Sequence, residues 1–262
     1  MLATAFQTAA HVFDLLRGKR GPVHPMDKAL RIETSGRVTR RALASGSKND
    51  VHSVGYVGAH PGIVRKCLDL IGVEPEMTFI DIGCGKGRAL AVACEYPFAR
   101  LIGLELSPLV ARVAFRNFAK LRRRDEKFSR VSILEGDASQ PPFQPGCNVF
   151  FFYHPFTGEP VKTLIANFRR HFEANPTSKV WLICYNPVSF DDFDKCGLFT
   201  RFYAAKIAAD KEDNVAGFTS HPYDSVIIYQ SANAPMRDPL PGAKAGVVIT
   251  IPGLGADVVN WV

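Results

Sequence analysis

An apolar run that ends in an acid and opens into three alternating glycines constrains this chain more than any other segment. It reads Phe79-Ile80-Asp81-Ile82-Gly83-Cys84-Gly85-Lys86-Gly87-Arg88. The apolar part predicts a strand, and the glycines permit positive φ and a close approach of a ligand to the backbone. A helix starting at Arg88 would turn unpaired N–H groups and a positive dipole end towards that ligand, which suits a carboxylate. In an open parallel sheet, ligands gather in the crevice outside the carboxyl ends of the strands, so the exit of this strand is the first place to look.

The surroundings alternate in the way such a sheet requires. Strands are predicted at Thr78–Ile82, Leu101–Leu104, Val131–Leu134, Val149–Tyr153 and Val180–Tyr185, with helices at Arg88–Glu95, Pro108–Leu121 and Val161–Phe172 between them. Phe199–Lys206 and Ser225–Gln230 read as the two sides of a terminal hairpin. The expected class is therefore α/β: a Rossmann-like, mainly parallel seven-stranded sheet with helices on both faces and a terminal antiparallel hairpin. Upstream, Pro61 begins a helix whose apolar face, Ile63, Val64, Cys67, Leu68 and Ile71, ends at Gly72. Leu2, Phe6, Ala9, Phe13 and Leu16 recur at helical spacing. The chain thus divides into an N-terminal helix and basic capping segment (1–50), a ligand-binding domain (51–230) and a C-terminal tail (231–262) without a clear assignment.

The 262 residues suffice for one large domain, and the six cysteines show neither a C-x-x-C pair nor metal-ligand spacing. A reducing cytoplasm fits such cysteines. The N-terminus lacks the basic start of a secretory signal, and no apolar run reaches bilayer length, so a cytoplasmic location is expected. The histidines are scattered, and no metal is assigned. The net charge of +7 is concentrated in residues 1–50 and 112–130, the latter with eight Lys/Arg against two Asp/Glu. That excess fits a solvated face or a funnel for an acidic partner.

Charge identifies the ligand class of the glycine loop. The spacing is G-x-G-x-G rather than the G-x-G-x-x-G of nicotinamide-binding loops. Asp81 would repel a pyrophosphate but attract the ammonium and sulfonium of S-adenosylmethionine. Glu105, eighteen residues beyond Gly87 at the end of Leu101-Ile102-Gly103-Leu104-Glu105, is placed to accept from ribose hydroxyls. Asp137 in Gly136-Asp137-Ala138 is placed to accept from an adenine amino group. Glu105 and Asp137 also suit helix starts near Pro108 and Ser139. The expected cofactor-binding set is Asp81, Gly83, Cys84, Gly85, Gly87, Glu105, Leu106, Asp137 and Ala138, with Tyr56 closing over the cofactor from upstream.

With these residues the chain resembles the class I S-adenosylmethionine-dependent methyltransferases. It is similar to an uncharacterised bacterial group through Asp81–Arg88, Glu105-Leu106-Ser107-Pro108 and Tyr153-His154-Pro155-Phe156. Glu33-Thr34-Ser35-Gly36 and Gly55-Tyr56 resemble upstream segments of that group. The resemblance spans roughly residues 30–230 and implies the fold and cofactor but almost nothing about the acceptor. These relatives commonly carry Asn where His154 stands. Methyltransferases acting on exocyclic amines or amides carry Asp or Asn there in a loop with two prolines, and only one proline follows His154, so adenine-N6 chemistry is not supported.

The catalytic candidates are His154 and Tyr153, with Phe156 and Asn186 also expected to line the crevice. His154 either accepts through a neutral ring nitrogen and acts as a base, or ties a strand end to the backbone. Lys86 is expected to face solvent or a carboxylate, and Arg88 to lie in a first helical turn. The leading expectation is methyl transfer to a protein side chain or small molecule. A nucleic-acid methyltransferase, motivated by Arg122-Arg123-Arg124 and the basic N-terminal segment, ranks below it for want of stacking aromatics. A non-catalytic binding protein on the same fold and a nicotinamide oxidoreductase are the remaining alternatives.

Overall fold

A computed structural model describes residues 22–188, 190–214, 223–243, 249–251 and 255–257. The amphipathic stretch at residues 2–16 lies outside the described residues. At the front of the described chain come α1 (Pro25–Leu30), β1 (Arg37–Val38), α2 (Arg40–Leu43), a 3-10 turn (Lys48–His52) and β2 (Tyr56–Val57). β1 and β2 pair antiparallel, so residues 39–55 form an excursion pinched at its base. α3 (Pro61–Ile71) starts on a proline, and Gly72 ends it in the left-handed region with φ 66°.

The main sheet contains β3 (Thr78–Ile82), β4 (Arg100–Glu105), β5 (Val131–Glu135), β6 (Asn148–Phe152), β7 (Val180–Tyr185), β8 (Phe199–Ala208) and β9 (Tyr223–Ser231). Their order is β5-β4-β3-β6-β7-β9-β8. β3 to β7 run parallel, and β9 lies antiparallel to both β7 and β8. The expected seven-stranded sheet with a terminal antiparallel hairpin is thus the one observed. Its second hairpin strand is the inner one. The intervening helices are α4 (Arg88–Ala93), α5 (Pro108–Arg122), α6 (Glu159–Ala174), α7 (Phe190–Lys195) and α8 (Lys211–Asn214).

The period of two along each strand divides the interior into two cores. Phe79, Phe151 and Ile183 face α3 and α4 together with Leu68, Leu90 and Trp181. Ile80, Phe150 and Leu182 face the other way, against Leu164 and Phe168 of α6. Phe168 meets Phe150 edge-on, with ring centroids 4.9 Å apart, the geometry that opposes a ring's positive edge to a negative face. After β9, Gln230 holds the tail: its Oε1 accepts from the backbone N–H of Met236 (2.7 Å) and Arg237 (3.0 Å). A short pair, β10 (Ile249–Ile251) and β11 (Gly255–Asp257), follows.

Strand order reverses at β3, which has β4 on one side and β6 on the other. A crevice therefore opens at the carboxyl ends of these strands. Among the described residues, no helix is long and apolar enough to cross a membrane.

Candidate functional site

The reversal at β3 gathers the exit loops of β3, β4, β5 and β6 around one cleft, roofed by the excursion between β1 and β2. Gly83, Gly85 and Gly87 all have positive φ, at 76°, 53° and 87°. Two of them also admit protein side chains at close quarters. A Cβ on Gly83 would lie 2.3 Å from Pro155, and one on Gly85 would lie 2.3 Å from the Tyr56 ring. The glycine loop is thus clasped between the β6 exit and the roof.

Asp81, Glu105 and Asp137 all line this cleft. Asp81 is buried and has no hydrogen-bond partner among the described residues; burial and the neighbouring Glu105 push its carboxyl well above its ordinary value. A buried carboxyl in that condition is stabilised by a cation more than by any neutral ligand. Glu105 is partly engaged within the protein, since Gly85 N–H donates to Oε2 and Ser107 N–H to Oε1, both at 2.8 Å. Burial raises its carboxyl, and these bonds oppose the rise. Asp137 receives Ser139 N–H on Oδ1 (2.9 Å) and the Asn49 amide on Oδ2 (3.0 Å).

Cys84, Leu106, Ala138 and Tyr56 also line the cleft. Gly87 does not: it caps α4, and its missing Cβ leaves room for Phe118, whose ring would stand 2.7 Å away. Ser107, not expected from the sequence to bind the ligand, lines the cleft with a buried hydroxyl that has no partner among the described residues. Such an orphaned group fits a ligand with a hydrogen-bonding rim.

Lys86 and Arg88 are both buried, and of its two expected settings Lys86 takes the one beside a carboxylate. Lys86 donates to Ser35 O (2.9 Å), pairs with Glu33 (3.3 Å) and lies 5.4 Å from the Tyr56 ring centroid. Arg88, in the first turn of α4, donates to Thr34 Oγ1 (2.7 Å) and Ser35 Oγ (3.1 Å) beside Asp27. Asp27 in turn accepts from Thr34 N–H (2.8 Å) and from the Thr34 and Ser35 hydroxyls. The Glu33-Thr34-Ser35 segment is therefore fastened to the glycine loop by the two basic residues that follow its glycines.

At the β6 exit, Tyr153, His154, Pro155 and Phe156 line the cleft. His154 adopts φ 43°, its Nε2 is buried without a partner among the described residues, and burial lowers its ionisation to about 4, so the ring is neutral at physiological pH. Tyr153 stacks on Tyr185 at 4.3 Å, and burial raises its phenol above the usual range. Asn186 is not part of the lining. Its side chain is spent behind Tyr153, donating to Asp224 (2.9 Å) and accepting from Ser225 N–H (3.1 Å). The repeated sequence Tyr-(His/Asn)-Pro at the ends of β6 and β7, with His154 and Asn186 both left-handed, marks two equivalent strand exits.

Among the described residues, no cluster of His, Cys, Asp or Glu is arranged to hold a metal. The six cysteines are free thiols.

Residues 80–171 match the family model of a methyltransferase domain. Over 86 residues the chain is 28% identical to nocamycin O-methyltransferase of Saccharothrix syringae, a match covering 32% of this chain and 29% of that protein. Among solved structures, the chain is similar to the glycopeptide N-methyltransferase MtfA, with 13% identity and a TM-score of 0.49, covering 69% of this chain and 92% of that one. It is also similar to an RNA methyltransferase from Salinibacter ruber solved with S-adenosylhomocysteine, with 16% identity and a TM-score of 0.43, covering 70% and 99%. Over residues 80–171 the chain carries a methyltransferase domain of the class I S-adenosylmethionine-dependent family.

Proposed function

We propose that the protein transfers a methyl group from S-adenosylmethionine to a small molecule or protein side chain held at the β6 exit. The observation that carries this reading is the convergence of Asp81, Glu105 and Asp137 from three successive strand ends on one cleft beside the glycine loop. Asp81 is assigned to the cationic end of the cofactor, Glu105 to the ribose and Asp137 to the adenine. Leu106, Ala138 and Tyr56 supply apolar walls. The cofactor brings the activated methyl group, and the protein has to align the acceptor and exclude water.

His154 is the candidate base. A neutral imidazole with an unpartnered nitrogen can take a proton from an acceptor hydroxyl or amine as it is methylated. Tyr153 and Phe156 orient the acceptor. Among the described residues of the cleft lining, Arg88 is the one cationic side chain, and it is committed to Asp27 and Thr34, which supports an acceptor other than nucleic acid. Arg122, at the far end of α5, is about 20 Å of helix away from Pro108 at the cleft. Arg122 and Arg124 donate to backbone carbonyls of their own chain.

Calorimetry with S-adenosylmethionine, S-adenosylhomocysteine and NAD(P) tests the reading. The first two should bind, NAD(P) should not, and Asp81→Ala should lose measurable affinity. Unchanged affinity in that variant, or preferential binding of the dinucleotide, contradicts it.

A further inference from the structure

The three acids differ in how they are held, and Asp137 is held by a residue far away in sequence. A terminal carboxylate torsion is broad and two-fold, so a single bond leaves the group free to turn. Ser139 N–H fixes Oδ1 at 2.9 Å. The second oxygen is fixed by Asn49 Nδ2 at 3.0 Å, with Gln140 Nε2 more distant at 3.5 Å. A carboxylate only accepts, so the Asn49 amide must present its nitrogen. With a short donor on each oxygen the carboxylate plane is set, in the cleft that Asn49 and Asp137 both line.

Asn49 is itself positioned by a built turn. It belongs to the 3-10 turn Lys48–His52, whose N-cap Ser47 accepts from Asn49 N–H at 3.2 Å. Asp50 accepts from Ser45 N–H (2.9 Å), Ser45 Oγ (2.7 Å) and Gly46 N–H (2.8 Å), closing the loop that aims Asn49 inward. Leu43 and Val38 pack on Val110 of α5, which seats the excursion beside the β4 exit. Four bonded residues thus serve to deliver one amide to one carboxylate.

We propose that Asn49 is a positioning residue for cofactor specificity: by orienting the Asp137 carboxylate, it enables that group to recognise the 6-amino group of adenine. The proposal rests on the cofactor assignment above and adds to it a residue outside the matched methyltransferase segment. It has a signature that general loosening of the roof lacks, because only interactions of the amino group pass through Asp137.

The probes are S-adenosylhomocysteine and its analogue with hydrogen in place of the 6-amino group, titrated calorimetrically into the full chain. Wild type should prefer the amino compound by about ten-fold, the scale of one hydrogen bond to a carboxylate acceptor. Asn49→Ala should lower affinity for S-adenosylhomocysteine by about that factor while moving the deaminated analogue less than about two-fold, so that discrimination collapses. Asn49→Leu, which has no donor and about the same size, should do the same and carries the test should the alanine variant fold poorly. Equal weakening of both ligands, or an unmoved preference, overturns the role of Asn49 alone. Wild-type protein binding neither ligand overturns the cofactor reading, and this proposal with it.

Discussion

Asp81 and His154 face the same cleft and are both shifted by burial, in opposite directions and with opposite consequences. The Asp81 carboxyl lies above its ordinary value because burial and Glu105 disfavour its charge. A cationic ligand restores the charged form, so binding should release protons, and affinity should fall as the pH is lowered through the free-protein value. Calorimetry in buffers of different ionisation enthalpy reads this directly; a heat independent of buffer across the acid range would remove Asp81 from the cation's partner list. His154 titrates near 4 because burial disfavours the imidazolium. The base must be neutral, so turnover should stay level around neutrality and decline only as the pH falls towards about 4. His154→Ala should cut turnover by about 10²-fold or more with cofactor affinity intact. Survival of full turnover returns His154 to a strand-end role.

Among the elements, the strands and the glycine loop were legible because each announces itself locally. Val180–Tyr185 is an unbroken apolar run and is recovered residue for residue. Pro61 and Gly72 bound their helix as expected. The upstream excursion was not legible, because β1 and β2 are two residues long and carry no periodicity. Asn49 meets Asp137 across 88 residues, and Arg88 meets Thr34 across 54, with nothing in either segment to signal its partner. Gly87 and Asn186 were misplaced into the cleft for a related reason: a motif shows which residues are special, not whether a ligand or the protein itself needs them. The buried Asp27–Arg88 pair makes the excursion's attachment testable. Asp27→Ala removes the buried counter-charge beside Arg88 and should cost about 3–5 kcal/mol in urea denaturation, with new proteolytic cleavage between residues 22 and 60. A loss below about 1 kcal/mol would show that the pair is replaceable by the hydroxyls around it.

Across the whole molecule, a buried polar chain joins segments that the sequence holds far apart. His24 accepts from Met26 N–H through Nδ1, which leaves Nε2 to donate to Asp213 at 3.0 Å. His60 stands between Asp213 (3.5 Å) and Asp224 (3.4 Å), and Asp224 accepts from Tyr185 and Asn186 behind the cleft. Burial alone would raise the Asp213 carboxyl, but hydrogen bonds from His24 and His60 outweigh it and hold the group below its ordinary value. A depressed carboxyl contributes stability that is complete above its unfolded value, about 4, and is lost as the pH falls below it. Urea midpoints between pH 6 and 3 should therefore drop more steeply for wild type than for Asp213→Asn, whereas parallel curves would exclude Asp213 from the acid transition. The sheet order has a consequence for biosynthesis. β9 is the last of the seven strands to be translated, yet it occupies an interior place between β7 and β8. Until Tyr223–Ser231 emerges, a nascent chain leaves β7 with a bare edge and β8 with no neighbour to join. Late ribosomal intermediates should be the most aggregation-prone species of this protein and the ones most in need of a chaperone.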